Sequence, residues 1–139
     1  VIDQHVLASR LSTLEGYRAK LASFERYTRE EFLEDEDVHQ LAARYLQLAC
    51  ECMLDMAQHV IGQQGFRQPT DYKDAIEVLR EEGVLDDDLA GRIKGWMGFR
   101  NVLVHLYLQT DHGQSYATIQ HELGDLDEFA ACMATFLEE

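Results

Sequence analysis

Between residues 37 and 61 an apolar side chain returns at every third or fourth position: Leu41, Tyr45, Leu48, Cys52, Met56 and Val60. No glycine or proline interrupts them. A strand would alternate with a period of two, so this spacing predicts an α-helix of about seven turns. A helix that long keeps its apolar stripe dry only when other elements cover it, which makes it the axis of the fold.

The rest of the chain supplies the cover. Leu7, Leu11, Leu14, Leu21 and Phe24 give residues 3–29 the same period and predict a second long helix, antiparallel to the first. The acids Glu34-Asp35-Glu36-Asp37 precede the central helix and suit its N-terminus, where the macrodipole is positive. Gly62 is expected to end that helix, and Pro69 to restart the chain with Thr70 or Asp71 as cap. Helix 71–82 then buries Tyr72, Ile76 and Leu79. After the Asp86-Asp87-Asp88 cap, a further helix presents Leu89, Ile93, Trp96 or Met97, then Arg100 and Leu103. Its glycines 91, 95 and 98 form a ridge that admits another helix at close range. Residues 115–120 form a short helix or turn, and a last helix near 123–137 buries Leu126, Phe129, Ala130, Met133 and Phe136. The expected fold is all-α: one domain over residues 1–139, a bundle of about five helices.

Composition narrows the function. No apolar run approaches the 18 residues of a membrane span. Residues Val1–His5 lack the basic and apolar architecture of a signal, and Cys50, Cys52 and Cys132 read as small buried hydrophobes, so a cytoplasmic protein is expected. A net charge of −14 excludes a broad nucleic-acid-binding face. Yet residues 89–110 hold Arg92, Lys94 and Arg100 and no acid, in a chain with 26 acids among 139 residues. Metal chemistry finds no ligand set: the one Glu-x-x-His spacing, Glu36 to His39, is single and sits at a helix start. His5, His59, His112 and His121 have no grouped partners and are expected at the surface or in caps.

Inside the acid-free stretch, Arg100, Asn101, His105 and Tyr107 interrupt an otherwise apolar run from Gly98 to Tyr107. Either they line a cleft or they are satisfied polar groups at a helix end. On a continuous α-helix Asn101 and His105 share a face, as do Arg100 and Tyr107, while His105 lies about 140° from Arg100. Convergence of Arg100 and His105 therefore needs a distorted helix end or a second copy of the chain across a two-fold interface. A histidine moves protons near neutral pH and an arginine grips phosphate, which suits metal-free RNA cleavage by the ribose 2′-OH. On the central helix Arg44, Gln47, Glu51, Asp55 and Gln58 form a polar stripe. Such a stripe is ordinarily solvated; the alternative is that Glu51 or Asp55 supports the site by pairing with Arg100.

The segment Arg100-Asn101-Val102-Leu103-Val104-His105-Leu106-Tyr107 resembles the motif of the HEPN superfamily, and most closely that of its HepT-like toxins: Arg, four to six residues, His, then Tyr at the next residue but one. The similarity extends to Arg44–Ile61, Gln68–Tyr72, Leu79–Leu85 and Met97–Asn101. The resemblance implies a HEPN-like bundle that dimerises and acts as a metal-independent endoribonuclease toxin without a cofactor. It implies Arg100 and His105 as the catalytic pair, with Asn101 and Tyr107 supporting. It further implies a small MntA-type nucleotidyltransferase antitoxin as partner, in a dimer or a larger hetero-oligomer, silencing the toxin by AMP transfer to Tyr107. The alternative is a non-catalytic HEPN module that binds a nucleotide or docks a nucleotidyltransferase.

Overall fold

The computed structural model of the chain describes residues 3–101 and 111–138. Among them are seven α-helices: α1 (Gln4–Ala22), α2 (Arg29–Glu34), α3 (Glu36–Gln64), α4 (Tyr72–Glu81), α5 (Asp87–Trp96), α6 (His112–His121) and α7 (Gly124–Ala134). The all-α expectation holds, and α3 is the axis. Antiparallel packing of α1 on α3 follows from the order of their contacts. Arg10 meets Cys52 and Asp55 near the end of α3, whereas Tyr17 and Phe24 meet Tyr45 nearer its start. No helix among the described residues is long and apolar enough to cross a membrane.

Several expected boundaries move, each for a local reason. The first helix stops at Ala22 rather than reaching residue 29, because Tyr27 is extended and Thr28 starts α2. Thr28 and Glu31 form a capping box: Glu31 N–H donates to Thr28 Oγ1 at 3.2 Å, and Thr28 N–H to Glu31 Oε1 at 2.9 Å. Helix α3 passes through Gly62 and ends at Gly65, whose φ of 72° supplies the left-handed turn. Phe66 N–H then reaches back to the Ile61 carbonyl at 3.1 Å. The buried stripe of α3 also departs from the expected one. Leu41 is 50% exposed and Tyr45 and Leu48 are only partly covered, while Ala42, Leu46, Ala49, Cys50, Met53 and Ala57 are fully enclosed. Alanines let α1, α2 and α6 come close, so packing favours the small residues over the large ones at that end.

Histidine 112 is neither a surface residue nor a cap. Asp111 caps α6, accepting from Gln114 N–H at 2.9 Å, and the His112 ring stacks on His39 of α3 with centroids 4.0 Å apart. His39 Nδ1 lies 3.1 Å from the Phe32 carbonyl, whereas His112 Nδ1 is buried with no hydrogen-bond partner among the described residues. Burial, then the neighbouring His39, pushes the His112 pKa below its ordinary 6.5; Asp111 opposes the shift. The unfolded chain therefore binds the extra proton first, so stability is present above 6.5 and is lost as pH falls through that value. We expect Tm to drop between about pH 7 and 5, before the paired carboxylates begin to protonate. His112→Phe should flatten that part of a melting-temperature profile; an unchanged slope would exclude His112 as its source.

Candidate active site at the end of helix α5

Helix α5 begins at Asp86, whose carboxylate accepts from Leu89 N–H at 2.7 Å, and it buries Leu89, Ala90, Ile93 and Trp96. Trp96 fixes its far end. The indole Nε1 donates to Asp125 Oδ2 of α7 at 3.0 Å, and the Trp96 carbonyl accepts from Cys50 Sγ of α3 at 2.8 Å. Burial pushes the Cys50 thiol pKa far up, so this cysteine stays a neutral donor, in keeping with the structural role expected for it.

Beyond Trp96 the chain tightens into a 3-10 turn, Met97–Asn101, rather than continuing as α-helix. Three residues per turn bring Arg100 back over Met97, which is fully buried, whereas α geometry would set it about 60° aside. Half-buried, its guanidinium carbon lies 5.0 Å from the centre of the Tyr72 ring, at the start of α4. Asn101 closes the 3-10 turn; His105 and Tyr107 lie outside the described residues.

The acid-free stretch is not a positive patch in space. Arg92 pairs with Asp88, one turn back on its own helix, and with Asp125 and Glu128 of α7, while Lys94 pairs with Glu77 of α4. Of the three cations in that stretch, Arg100 alone has no carboxylate partner among the described residues. The pairing of Arg100 with Glu51 or Asp55 is also absent among them. Asp55 faces Arg10 at 3.6 Å on the α1 side, and Glu51 accepts from Gln47 Nε2 at 3.2 Å, Gln47 being held in turn by Arg44. The polar stripe satisfies itself along its own helix and toward α1. The glycine ridge differs from expectation as well. Among the described residues, nothing beyond the adjoining backbone of its own helix lies within 4 Å of where a Cβ would sit at Gly91, Gly95 or Gly98. The ridge instead borders a groove of about 610 Å³ between α5 and α6, with Trp96, Phe99 and Gln114 among its walls.

Tyr72 packs against the edge of the core and stays partly exposed. It was expected in the core, on the strength of its spacing from Ile76 and Leu79.

Comparison with known proteins agrees with the fold. A profile of the ribonuclease HepT-like family matches residues 14–133. An mRNA nuclease HepT from Shewanella oneidensis is 27% identical over 99 residues, covering 71% of this chain and 74% of that protein. A tRNA nuclease HepT from Aphanizomenon flos-aquae is 26% identical over 123 residues, covering 88% and 83%. Among solved structures, the tri-AMPylated Shewanella oneidensis HEPN toxin in complex with MNT antitoxin superposes with a TM-score of 0.86 at 21% identity, over 97% of this chain and 99% of that one. With a matching profile over most of its length and the same helical bundle, this chain belongs to the ribonuclease HepT-like family.

Proposed function

We propose that the chain is the toxin of a toxin–antitoxin pair, a cytoplasmic endoribonuclease that cleaves RNA without a metal, and that a nucleotidyltransferase antitoxin silences it by AMP transfer to Tyr107. The observation that carries the reading is Arg100: an arginine of the family motif, uncommitted to any described carboxylate in a chain of net charge −14. Family membership and the two HepT nucleases named above support RNA as substrate. In the proposed reaction His105 takes the proton of a ribose 2′-OH as its oxygen attacks the adjacent phosphorus. Arg100 stabilises the charge that grows on the phosphoryl oxygens, and the 5′-oxygen leaves with a proton, giving a cyclic phosphate end. A dimer would let a second copy complete the cleft, and the AMPylated toxin–antitoxin relative is the precedent for the partner.

Incubating the purified chain with RNA in EDTA should produce cleavage. Intact RNA across pH and salt, with binding to a nucleotidyltransferase as the only activity, would replace this reading with a docking subunit. Co-expression with an MntA-type nucleotidyltransferase and mass spectrometry should show a gain of about 329 Da for each AMP attached. The gain should vanish in Tyr107→Phe. Bulk and negative charge added there would oppose the capture of substrate phosphate by Arg100. A gain that survives Tyr107→Phe would exclude this tyrosine as the acceptor.

A further inference from the structure

Most arginines in this acidic chain are held by carboxylates. Arg10, Arg18, Arg67, Arg80 and Arg92 each pair with at least one. Arg100 rests instead over the ring of Tyr72, 5.0 Å from its centre. The difference matters for a group meant to bind phosphate. A carboxylate would neutralise the guanidinium and would have to be displaced by substrate, whereas a ring attracts the cation through its quadrupole and takes none of its N–H donors along their own axes.

Helix α4 is built so that its own acids do not compete. Asp74, Glu77 and Glu81 recur at helical spacing along it, and each is already taken. Arg67 bridges Asp74 at 2.8 Å and Glu81 at 2.9 Å, while Arg80 and Lys94 share Glu77. These partners hold the Asp74 carboxyl well below the usual range and bring Glu77 down to about 2, so all stay ionised and engaged at neutral pH. The ring itself is anchored by the start of the helix. Asp71, its neighbour, accepts from Asp74 N–H at 2.7 Å, and Thr70 N–H donates to Asp74 Oδ2 at 2.9 Å.

We propose that Tyr72 is a positioning residue for the nuclease reaction: its ring face holds the Arg100 guanidinium in place, with the charge intact, for the scissile phosphate. The inference rests on the ribonuclease reading above, and the test separates the two. RNA cleavage in EDTA is measured as kcat and KM for the parent chain, Arg100→Ala, Tyr72→Phe, Tyr72→Leu, and the chain carrying pentafluorophenylalanine at 72, which keeps ring shape but reverses the quadrupole. Tyr72→Phe should stay within about twofold of the parent, while Leu and the fluorinated ring should each lower kcat about tenfold with a smaller change in KM. Thermal melts accompany each variant; should Tyr72→Leu fail to fold, the fluorinated ring decides alone. Parent kcat in both the Leu and fluorinated chains overturns the proposal, as does full activity in the fluorinated chain alone or a loss in Tyr72→Phe equal to that in Leu. If the parent does not cleave, or Arg100→Ala is undiminished, the ribonuclease reading itself falls, and this inference with it.

Discussion

Arg100→Ala is expected to lower kcat for RNA cleavage in EDTA by about 10²–10³-fold, the usual effect of removing one preorganised donor from a developing oxyanion. His105→Ala should cost about 10²–10⁴-fold, the range for a general acid–base group. Arg100→Lys should recover only part of the loss, because an ammonium lacks the planar fork that grips two phosphate oxygens at once. The structure makes the arginine variant informative. With no ion pair to break among the described residues, Arg100→Ala should forfeit about 0.5–1 kcal/mol of cation–π contact and leave the fold intact. Activity and stability therefore part company: gel-resolved cleavage collapses while the melting temperature moves little. A plain structural bundle predicts the reverse, a lower melting temperature with no activity to lose. Full cleavage by either alanine variant would remove the catalytic assignment.

The charge pattern explains how an acidic chain accommodates this chemistry. Arg92 and Lys94 look in sequence like companions of Arg100, yet both spend their charge on joining helices: Arg92 ties α5 to α7, and Lys94 ties α5 to α4. Surface pairs of this kind contribute little stability each, but they decide which cations are left over. RNA would then meet a local contact centred on Arg100 rather than an electrostatic face. The salt dependence of binding should be correspondingly shallow.

What was legible in the sequence divides along physical lines. Helix period is a local property, so α3, α4 and α7 stood close to their expected places; residue type narrowed the caps to Thr70 or Asp71 and to the Asp86–Asp88 run, of which the structure uses Asp71 and Asp86. The Thr28–Glu31 capping box was also readable, but an apolar period running through it hid the break. Which side of α3 is buried was not local. Four neighbours of unequal distance decide it, and the choice of Ala42 and Leu46 over Leu41 depends on how closely each approaches. Motif residues were legible by type and spacing, whereas their geometry was not: the 3-10 turn at Met97–Asn101 follows from how Trp96 is tied down by Asp125 and Cys50. Both partners are distant in sequence. The acid-free stretch misled largely for the same reason: besides Asp88 at the start of α5, its neutralising acids Glu77, Asp125 and Glu128 come from α4 and α7.

Trp96 is where fold and site meet, and Trp96→Ala is expected to cost about 3–5 kcal/mol, the range for emptying a large aromatic position in a core. The side chain is 2% exposed, packs edge-on against Phe99 with centroids 5.8 Å apart, and donates to Asp125. Truncation opens a cavity between α5 and α7 and deprives the buried Asp125 carboxylate of one donor, although Arg92 still holds its other oxygen. Trp96→Phe keeps most of the apolar volume and should cost only about 1–2 kcal/mol for the lost hydrogen bond and the residual gap. Urea unfolding followed by circular dichroism, needed because this is the sole tryptophan, would read both as shifts in midpoint. Domains of this size hold about 5–15 kcal/mol in all, so the alanine variant sacrifices roughly a fifth or more. Because Trp96 ends α5 and the Arg100 turn begins at the next residue, the phenylalanine variant should also lose cleavage out of proportion to its stability. A midpoint shift worth less than about 1 kcal/mol for Trp96→Ala would mean that the α5 terminus is held by something other than this indole.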